Sequence, residues 1–403
     1  MGVQTDYARQ FINDPYHFFK MASNKNPVLW YQFFNVEGWL VTGYKEAEKT
    51  LKDSRFVKEV QGVVSPEQLN PIPENLAPVV NLTRNMMLFR DAPNHTRLRG
   101  LVNKAFTPKM TERLRPTIYK MAQYLIEARK GKDVHELIRD FSYSLPVMVI
   151  TELIGVPKED RDLFRKWSDS FLKFIDINTT EEDWEEAAPD LKEAAQYMRE
   201  LIAVKRVNPS NDLLSGLITV SDSGDSLTED EMVATCLLLL IAGHETTVNL
   251  ITNGYYLLLS HPEEMEKVRA NANLLPNLVE EVLRFDPPVL LTTRWIGEDM
   301  DFYGQSLKKG QTAIIALGAA NRDEAMNEDP DVFNVERKNI KHLSFASGAH
   351  FCLGAPLARL EAQIAFEVLL KHVHEPKLLE EPVRRPNIIF RGFEALKFQG
   401  RIV

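Results

Sequence analysis

FASGAHFCLG, at residues 345–354, is the most informative segment of this sequence. It places Cys352 between Gly348 and Gly354, and a helical pattern begins near Pro356 directly after it. The two glycines permit a tight loop, and the backbone N–H groups at the helix start would stabilise a thiolate over a thiol. The Cys352 sulfur is therefore expected to act as a metal ligand or as a nucleophile.

Ligation has the better support of these two roles. A nucleophile needs a positioned base, and His350 is too close in sequence to Cys352 to count as a catalytic partner. A haem iron needs only one thiolate, because the porphyrin supplies four other donors. Both roles of Cys352, metal ligand and nucleophile, stay open at this point.

Composition narrows the class of protein. The chain has 403 residues with 44% hydrophobic and 26% charged content, which is ordinary for a folded enzyme. Its 57 acidic and 48 basic residues give a net charge of -9, which argues against a nucleic-acid-binding protein. Cys352 and Cys236 are too few for a disulfide scaffold, Cys236 is expected in the core, and a cytoplasmic location fits best. The N-terminus has no basic start followed by an apolar run, so neither a signal peptide nor a membrane anchor is expected.

Two segments predict β-strands within a mainly helical chain. Residues 28–43 read as a hairpin, and residues 292–317 alternate short apolar runs with turn residues. We expect a β-rich part at about 28–60 to join 292–317 in one region of a single domain spanning 1–403. Prolines between Val63 and Leu82 predict a long loop instead of a helix.

One helix is predicted to be unusually long. Thr228 and Glu231 form a capping-box signature, and the helical pattern continues to about Ser260, where His261-Pro262 ends it. Roughly thirty residues at 1.5 Å each span about 45 Å. Its longest continuous apolar run is too short to span a membrane, so the segment is expected to be a buried helix.

AGHETT, at residues 242–247, interrupts the apolar pattern in the middle of this helix. A buried Glu245 is costly unless it is used. The Thr246 hydroxyl can bond the Ala242 carbonyl four residues back, and Gly243 leaves space beside it. A pocket for water or a small ligand is predicted, although a core helix with a solvated Glu245 explains this stretch about equally well.

The FASGAHFCLG segment resembles the haem-binding signature of the cytochrome P450 superfamily. EVLR at residues 281–284 looks like the family's helical Glu-x-x-Arg, and residues 242–247 look like its oxygen-binding stretch. The order and separation of the three motifs make the resemblance specific, and it is closest to soluble bacterial members. It implies a mainly α fold with a smaller β region, in which the long helix crosses over a haem b bound through Cys352.

The resemblance also implies the residues around the haem. His95 and Arg99 alone would be read as an exposed pair at helical spacing; with the resemblance they become ligands of the propionates. The full set of cofactor-binding residues implied is His95, Arg99, Arg294, His350, Cys352, Phe345, Gly348, Ala242 and Gly243. Arg337 is expected to complete a buried network with Glu281 and Arg284. The sequence departs from the family pattern at Ala346, where a glycine is common, and at Ile296.

The activity implied is that of a monooxygenase, which reduces dioxygen, inserts one oxygen atom into the substrate and releases the other as water. Glu245 would link the site to solvent, and the Thr246 hydroxyl would hold a water there. A peroxide-using or rearranging haem-thiolate enzyme, or a non-catalytic haem sensor or carrier, would not need both residues.

Electrons are expected from outside, because the sequence has no Rossmann, flavin or iron–sulfur signature. A ferredoxin or flavodoxin with its reductase is the expected partner of a monomeric enzyme. A basic patch near the cysteine would receive this partner, and its members are Lys104, Lys109, Lys341 and Arg359.

The substrate is expected to be hydrophobic, such as a fatty acid, terpenoid, steroid or macrolide precursor. By family analogy the pocket is lined by the loop at 63–88, the connection at 171–183, and Leu240, Ile241, Val289, Leu290, Thr292 and Phe393.

Overall fold

The structure, a computed structural model, describes residues 2–23, 26–34, 36–64, 72–175, 179–222 and 227–403. Asn35 in the predicted hairpin turn and parts of the proline-rich loop and of the connection at 171–183 lie outside the described residues. The prediction of a loop through Leu82 is wrong at its end, because Ala77–Arg84 is helical and Pro78 lies in its first turn, where a proline is tolerated. Helices predominate over strands in the ranges that are described, which confirms the mainly α class with a smaller β region.

The helices and strands have the following bounds. The helices are α1 Gly2–Asn13, α2 Pro15–Ser23, α3 Tyr44–Lys52, α4 Ala77–Arg84, α5 Asn94–Ala105, α6 Pro108–Arg113, α7 Arg115–Glu127, α8 Ser144–Ile154, α9 Leu163–Ile175, α10 Glu181–Val207, α11 Leu213–Asp222, α12 Glu229–Ser260, α13 Pro262–Ala270, α14 Leu275–Phe285, α15 Leu317–Asn321 and α16 Ala355–His372. The strands are β1 Val28–Phe33, β2 Val36–Val41, β3 Phe56–Val57, β4 Val134–Glu136, β5 Leu291–Ile296, β6 Met300–Phe302, β7 Gln305–Leu307, β8 Thr312–Ala316, β9 Val373–Leu378 and β10 Lys397–Ile402.

The largest sheet joins strands from distant parts of the chain. Its order is β1-β2-β8-β5-β3, with β1 and β2 antiparallel, β2 and β8 parallel, and β5 antiparallel to β8. Both segments that the sequence predicts as β-rich therefore contribute strands to one sheet, the first through β1 and β2 and the second through β5 and β8. Smaller sheets pair β4-β10-β9 and β6-β7.

Helix α12 begins where its capping box predicts. The Thr228 hydroxyl accepts from the Glu231 N–H at 3.2 Å, and the Glu231 carboxylate accepts from the Thr228 N–H at 2.9 Å. By length and composition α12 could cross a membrane, but 78% of its apolar window is buried inside the protein. The core helix of a folded protein has the same property, and the prediction of a buried helix is confirmed.

Helix α12 crosses α14 and α16 at very short distance, and Gly254 makes this possible. A Cβ at Gly254 would lie inside van der Waals distance of the Phe366 ring and 3.1 Å from Cγ2 of Val282. Because α16 follows Cys352 directly, this crossing sets the distance between the cysteine loop and the long helix.

Replacing Gly254 with Ala should therefore destabilise the protein. Overpacking of this kind costs about 1–3 kcal/mol. The control is Gly100→Ala on α5, where a Cβ would meet nothing within 4 Å and the change should be neutral or stabilise by up to about 1 kcal/mol. Urea unfolding measures both, and equal midpoints for the two variants would contradict the tight crossing.

Candidate active site

The cysteine loop is fixed by backbone contacts. The Cys352 N–H donates to the Phe345 carbonyl at 2.9 Å. Gly348 adopts a left-handed φ of 72°, and a Cβ there would lie 2.6 Å from the Leu51 carbonyl oxygen. Only glycine fits at this position, so the loop packs directly against the end of α3.

The backbone at Ala346, where the family commonly has glycine, is left-handed. Its φ is 57°, a left-handed conformation in which Cβ crowds the backbone. The glycine common at this position would adopt that φ without strain, whereas Ala346 adopts it at a steric cost. The other departure, Ile296, ends strand β5 of the large sheet, and its side chain is buried in the core.

The electrostatics of Cys352 differ from what the helix start predicts. Burial raises the pKa of the Cys352 thiol, and it outweighs the N–H groups of Gly354 and Ala355 and the Arg99 guanidinium, which lower the pKa. Burial therefore disfavours a free thiolate, whereas a cation bonded to the sulfur would stabilise the ionised form. This favours a metal ligand over a free nucleophile.

Cys352 lies on the wall of an apolar cavity. Predicted haem-contacting residues from three parts of the chain share this wall, and they are His95, Arg99, Ala242, Gly243, Phe345 and His350. Within the described residues, no group of three or more His, Cys, Asp or Glu side chains could hold a metal ion. An iron at Cys352 would thus take its other donors from a cofactor.

Buried cations gather beside the same wall. Arg294 is 3% exposed, and its guanidinium donates to the Thr293 carbonyl at 2.8 Å. Burial lowers the pKa of Arg294 to about 10. Burial and the nearby Arg294 charge lower the pKa of Lys58, whose ammonium lies 3.5 Å from the Thr292 hydroxyl.

Two histidines and one acid complete this cluster. The His95 and His350 rings lie 4.2 Å apart, and burial together with His350 and Arg99 lowers the pKa of His95 to about 4. Asp91 accepts from the backbone N–H groups of Lys58 and Glu59 at 2.8 and 2.7 Å and lies 3.9 Å from His350.

The donor set fits a haem. Burial disfavours the charged forms of Lys58, Arg99 and Arg294, the Arg294 charge adds to this at Lys58, and a dianionic porphyrin edge would relieve it. Neither Lys58 nor Asp91 lies in a recognisable sequence motif, and only the fold brings them close to residues of the cavity wall.

The Glu245 and Thr246 side chains of α12 occupy different positions relative to the cavity. The Thr246 hydroxyl donates to the Ala242 carbonyl at 2.9 Å, as predicted, and Thr246 lines the cavity. Glu245 is 3% exposed and is not among the residues that line it. The Glu245 carboxylate instead accepts from Arg385 at 2.6 Å, an interaction that the sequence did not suggest.

Glu281, Arg284 and Arg337 meet in one buried network behind the cysteine loop. Arg284 binds Glu281 through two bonds of 2.7 and 2.8 Å, and the Arg337 Nε lies 3.1 Å from both carboxylate oxygens. Arg284 also donates to the Pro330 carbonyl at 2.7 Å. The network therefore ties α14 to the loop that precedes the cysteine.

The predicted substrate residues divide into two groups. Val289 and Thr292 line the cavity. Leu240, Ile241, Leu290 and Phe393 are buried but do not line it. On α12 the apolar wall is formed by Leu238 and Leu239 instead.

The predicted basic patch is only partly free. Lys104, Lys109 and Lys341 are exposed. Arg359 binds Glu280 through bonds of 2.6 and 2.9 Å and lies over the Phe345 ring at 4.4 Å. Arg359 therefore supports the cysteine loop more than it offers a charge to a partner.

Comparison with known proteins decides the family. The family model for Cytochrome P450 matches residues 9–374. This chain is a cytochrome P450. The biotin biosynthesis cytochrome P450 of Bacillus subtilis (strain 168) is 39% identical over 391 residues, 96% of each chain. The polyketide biosynthesis cytochrome P450 PksS of the same organism is 36% identical over 398 residues, 97% of this chain and 96% of PksS.

A solved structure of the same family superimposes on this P450 with a TM-score of 0.92. It is P450BioI in complex with hexadec-9Z-enoic acid ligated acyl carrier protein, 38% identical, covering 98% of this chain and 100% of that one. The P450 resemblance and fold are confirmed, and the protein is a haem-thiolate monooxygenase that oxidises a small molecule with electrons from redox partners.

Lys58→Met should affect the P450 in two opposite ways. Removing a cation that Arg294 repels should raise the unfolding midpoint of the haem-free chain. Losing a charged partner for the haem should speed haem loss about tenfold. Transfer of haem to apomyoglobin and urea unfolding measure the two effects. Lys49→Met, an exposed control on α3, should change neither; slower haem loss in Lys58→Met would refute the assignment.

Proposed function

We propose that this P450 binds haem b and oxidises a hydrophobic molecule in the cytoplasm, with electrons from a ferredoxin or flavodoxin and its reductase. One observation carries the proposal: Thr246 and Cys352 line the same apolar cavity, which brings a hydroxyl group and a sulfur able to bind a metal to one site. We also propose that the whole chain acts as one domain and as a monomer.

Residues around the cavity would hold the haem as follows. The Cys352 sulfur would bind iron, and Lys58, Arg99, Arg294, His95 and His350 would face the carboxylates. Ala242 and Gly243 on one side, with Phe345 and Gly348 near the sulfur, would leave room for the flat ring. When bound, the haem supplies the activation of dioxygen and the transfer of one oxygen atom.

The protein's own contribution is the supply of protons. The Thr246 hydroxyl proton is directed to the Ala242 carbonyl, so the hydroxyl oxygen is free to accept a bond from a water in the cavity. Glu245, directly before Thr246, would exchange its proton with solvent past the Arg385 side chain, which is 26% exposed.

An apolar substrate fits the wall of the cavity. The residues that would meet it are Met87, Leu88, Ile150, Leu153, Leu238, Leu239, Val289 and Thr292. Within the described wall, the charged or titratable side chains His95, Arg99 and His350 belong to the group assigned to the haem. A long acyl group, as in the solved P450BioI complex, is one candidate of this chemistry.

Spectroscopy followed by turnover tests the proposal. The ferrous carbon monoxide spectrum should show thiolate ligation, and a panel of fatty acids, terpenoids and steroids should then be supplied with a surrogate ferredoxin and its reductase. Imidazole ligation, or oxidation of polar compounds in preference to apolar ones, would refute it.

Thr246→Ala should uncouple electron use from product. The variant should keep haem binding and substrate affinity, but it should divert electrons to peroxide because the cavity loses its hydroxyl. Peroxide released per NADPH consumed is the measurement. Thr235→Ala, a buried threonine elsewhere on α12, is the control and should behave as the wild type; unchanged coupling in Thr246→Ala would remove the role.

Reduction by the partner should depend on the exposed lysines. Lys104→Glu and Lys109→Glu should each slow reduction at low salt and weaken its dependence on ionic strength. Stopped-flow reduction at several salt concentrations measures this. Lys371→Glu, at the far end of α16, should leave the rate unchanged; equal effects from all three would argue against docking near Cys352.

A further inference from the structure

Glu245 lies outside the cavity wall and forms an ion pair with Arg385. Its neighbours Gly243, Thr246 and Thr247 line the cavity, but Glu245 does not. The Glu245 side chain is 4% exposed and pairs with Arg385 at 2.6 Å. A buried carboxylate that leaves its charged partner loses several kcal/mol of stabilisation, roughly 3–5 in other proteins, so the acid will rarely leave this position on its own.

Arg385 belongs to a turn that packs on α12. Its Nε donates to the Phe393 carbonyl at 3.1 Å, and its backbone N–H donates to the Gly392 carbonyl at 3.1 Å. Phe393 packs against Val248, one turn after Glu245. We call residues 385–393 the latch turn.

The latch turn is hydrogen-bonded to the cavity wall. The Arg391 N–H donates to the Pro288 carbonyl at 2.8 Å, and the Leu290 N–H donates to the Ile389 carbonyl at 2.8 Å. Pro288 and Val289 line the cavity directly. A continuous series of short hydrogen bonds thus runs from the wall, through the latch turn, to the carboxylate of Glu245.

We propose that Arg385 is a positioning residue that keeps Glu245 out of the cavity until an occupant displaces the Pro288–Val289 wall. An occupant that pushes on this wall moves the latch turn, lengthens the Arg385–Glu245 contact, and frees the acid to turn toward Thr246. The freed Glu245 carboxylate takes one proton from solvent and then passes it to a water in the cavity, which returns Glu245 to its ionised form. Proton supply is thereby coupled to occupancy, so that an empty enzyme wastes less reductant by reducing dioxygen to water.

This inference rests on the proposed role of Glu245 in proton supply, and the direction of the effect of Arg385 on proton supply can be tested without a known substrate. Holoenzyme without substrate is supplied with NADPH, a surrogate ferredoxin and its reductase, and peroxide per NADPH is measured. Arg385→Gln frees Glu245, so this ratio should fall by about threefold or more, because dioxygen goes on to water. Arg385→Lys, which keeps the charge, should restore the wild-type ratio.

Matched variants separate the latch from general loosening of the loop. Arg384, the neighbour of Arg385, pairs with Asp286 at 2.8 Å. Arg384→Gln should lower the unfolding midpoint without changing peroxide per NADPH. If Arg385→Gln leaves the ratio unchanged or raises it, Arg385 does not restrain Glu245 and the inference is overturned.

Coupling to the wall is tested by a double-mutant cycle. Val289→Phe places bulk in the cavity as an occupant would, so it should lower peroxide per NADPH in the wild type and have no further effect in Arg385→Gln. Equal effects in both backgrounds would overturn the coupling.

Glu245→Gln distinguishes the proton-supply role of Glu245 from its restraint by Arg385. In the empty wild type it should change the ratio little, because the acid is already restrained, but it should cancel the fall caused by Arg385→Gln or by Val289→Phe. If Glu245→Gln leaves both lowered ratios unchanged, the proposed role of the acid fails. If Val289→Phe lowers the ratio and Glu245→Gln cancels that fall while Arg385→Gln does not lower it, the latch alone fails. The carbon monoxide spectrum of each variant confirms that the haem site is intact.

Discussion

Burial of ionisable groups around one apolar cavity is the constraint on which the structure depends. Burial disfavours the thiolate of Cys352, and burial also disfavours the charges of Lys58 and Arg294. A cation on the sulfur would favour the thiolate, and an anion would favour the charged forms of Lys58 and Arg294. A metalloporphyrin carries both complementary charges in one molecule, so these residues fit an occupant of that kind.

The surrounding helices make this unfavourable site sustainable. The close crossing at Gly254 and the fully buried pair of Glu281 and Arg284 fix α12, α14 and α16 relative to one another. Because these contacts lie outside the cavity, they can stabilise the fold even though burial of Cys352 is unfavourable. The helix crossings supply the stability of the protein, and the residues of the cavity wall supply its chemistry.

Local signals in the sequence predicted much of the structure, and tertiary proximity accounts for what they missed. The start of α12 followed from Thr228 and Glu231, because a capping box involves four consecutive residues. Which residues of α12 face the cavity did not follow from the sequence: successive helical residues differ in direction by about 100°, and Leu238 and Leu239 line the cavity whereas Leu240 and Ile241 do not. Lys58 and Arg385, which the structure places beside the site, lie far from the motifs in sequence. Hydrophobic periodicity predicts local structure and cannot predict such long-range contacts.

The left-handed backbone at Ala346 has a further consequence. A methyl group at φ 57° restricts the conformations open to the unfolded chain more than a glycine would. The two effects of this methyl group on the free energy of unfolding oppose each other, because the left-handed φ strains the folded loop while the restricted unfolded chain loses less entropy on folding.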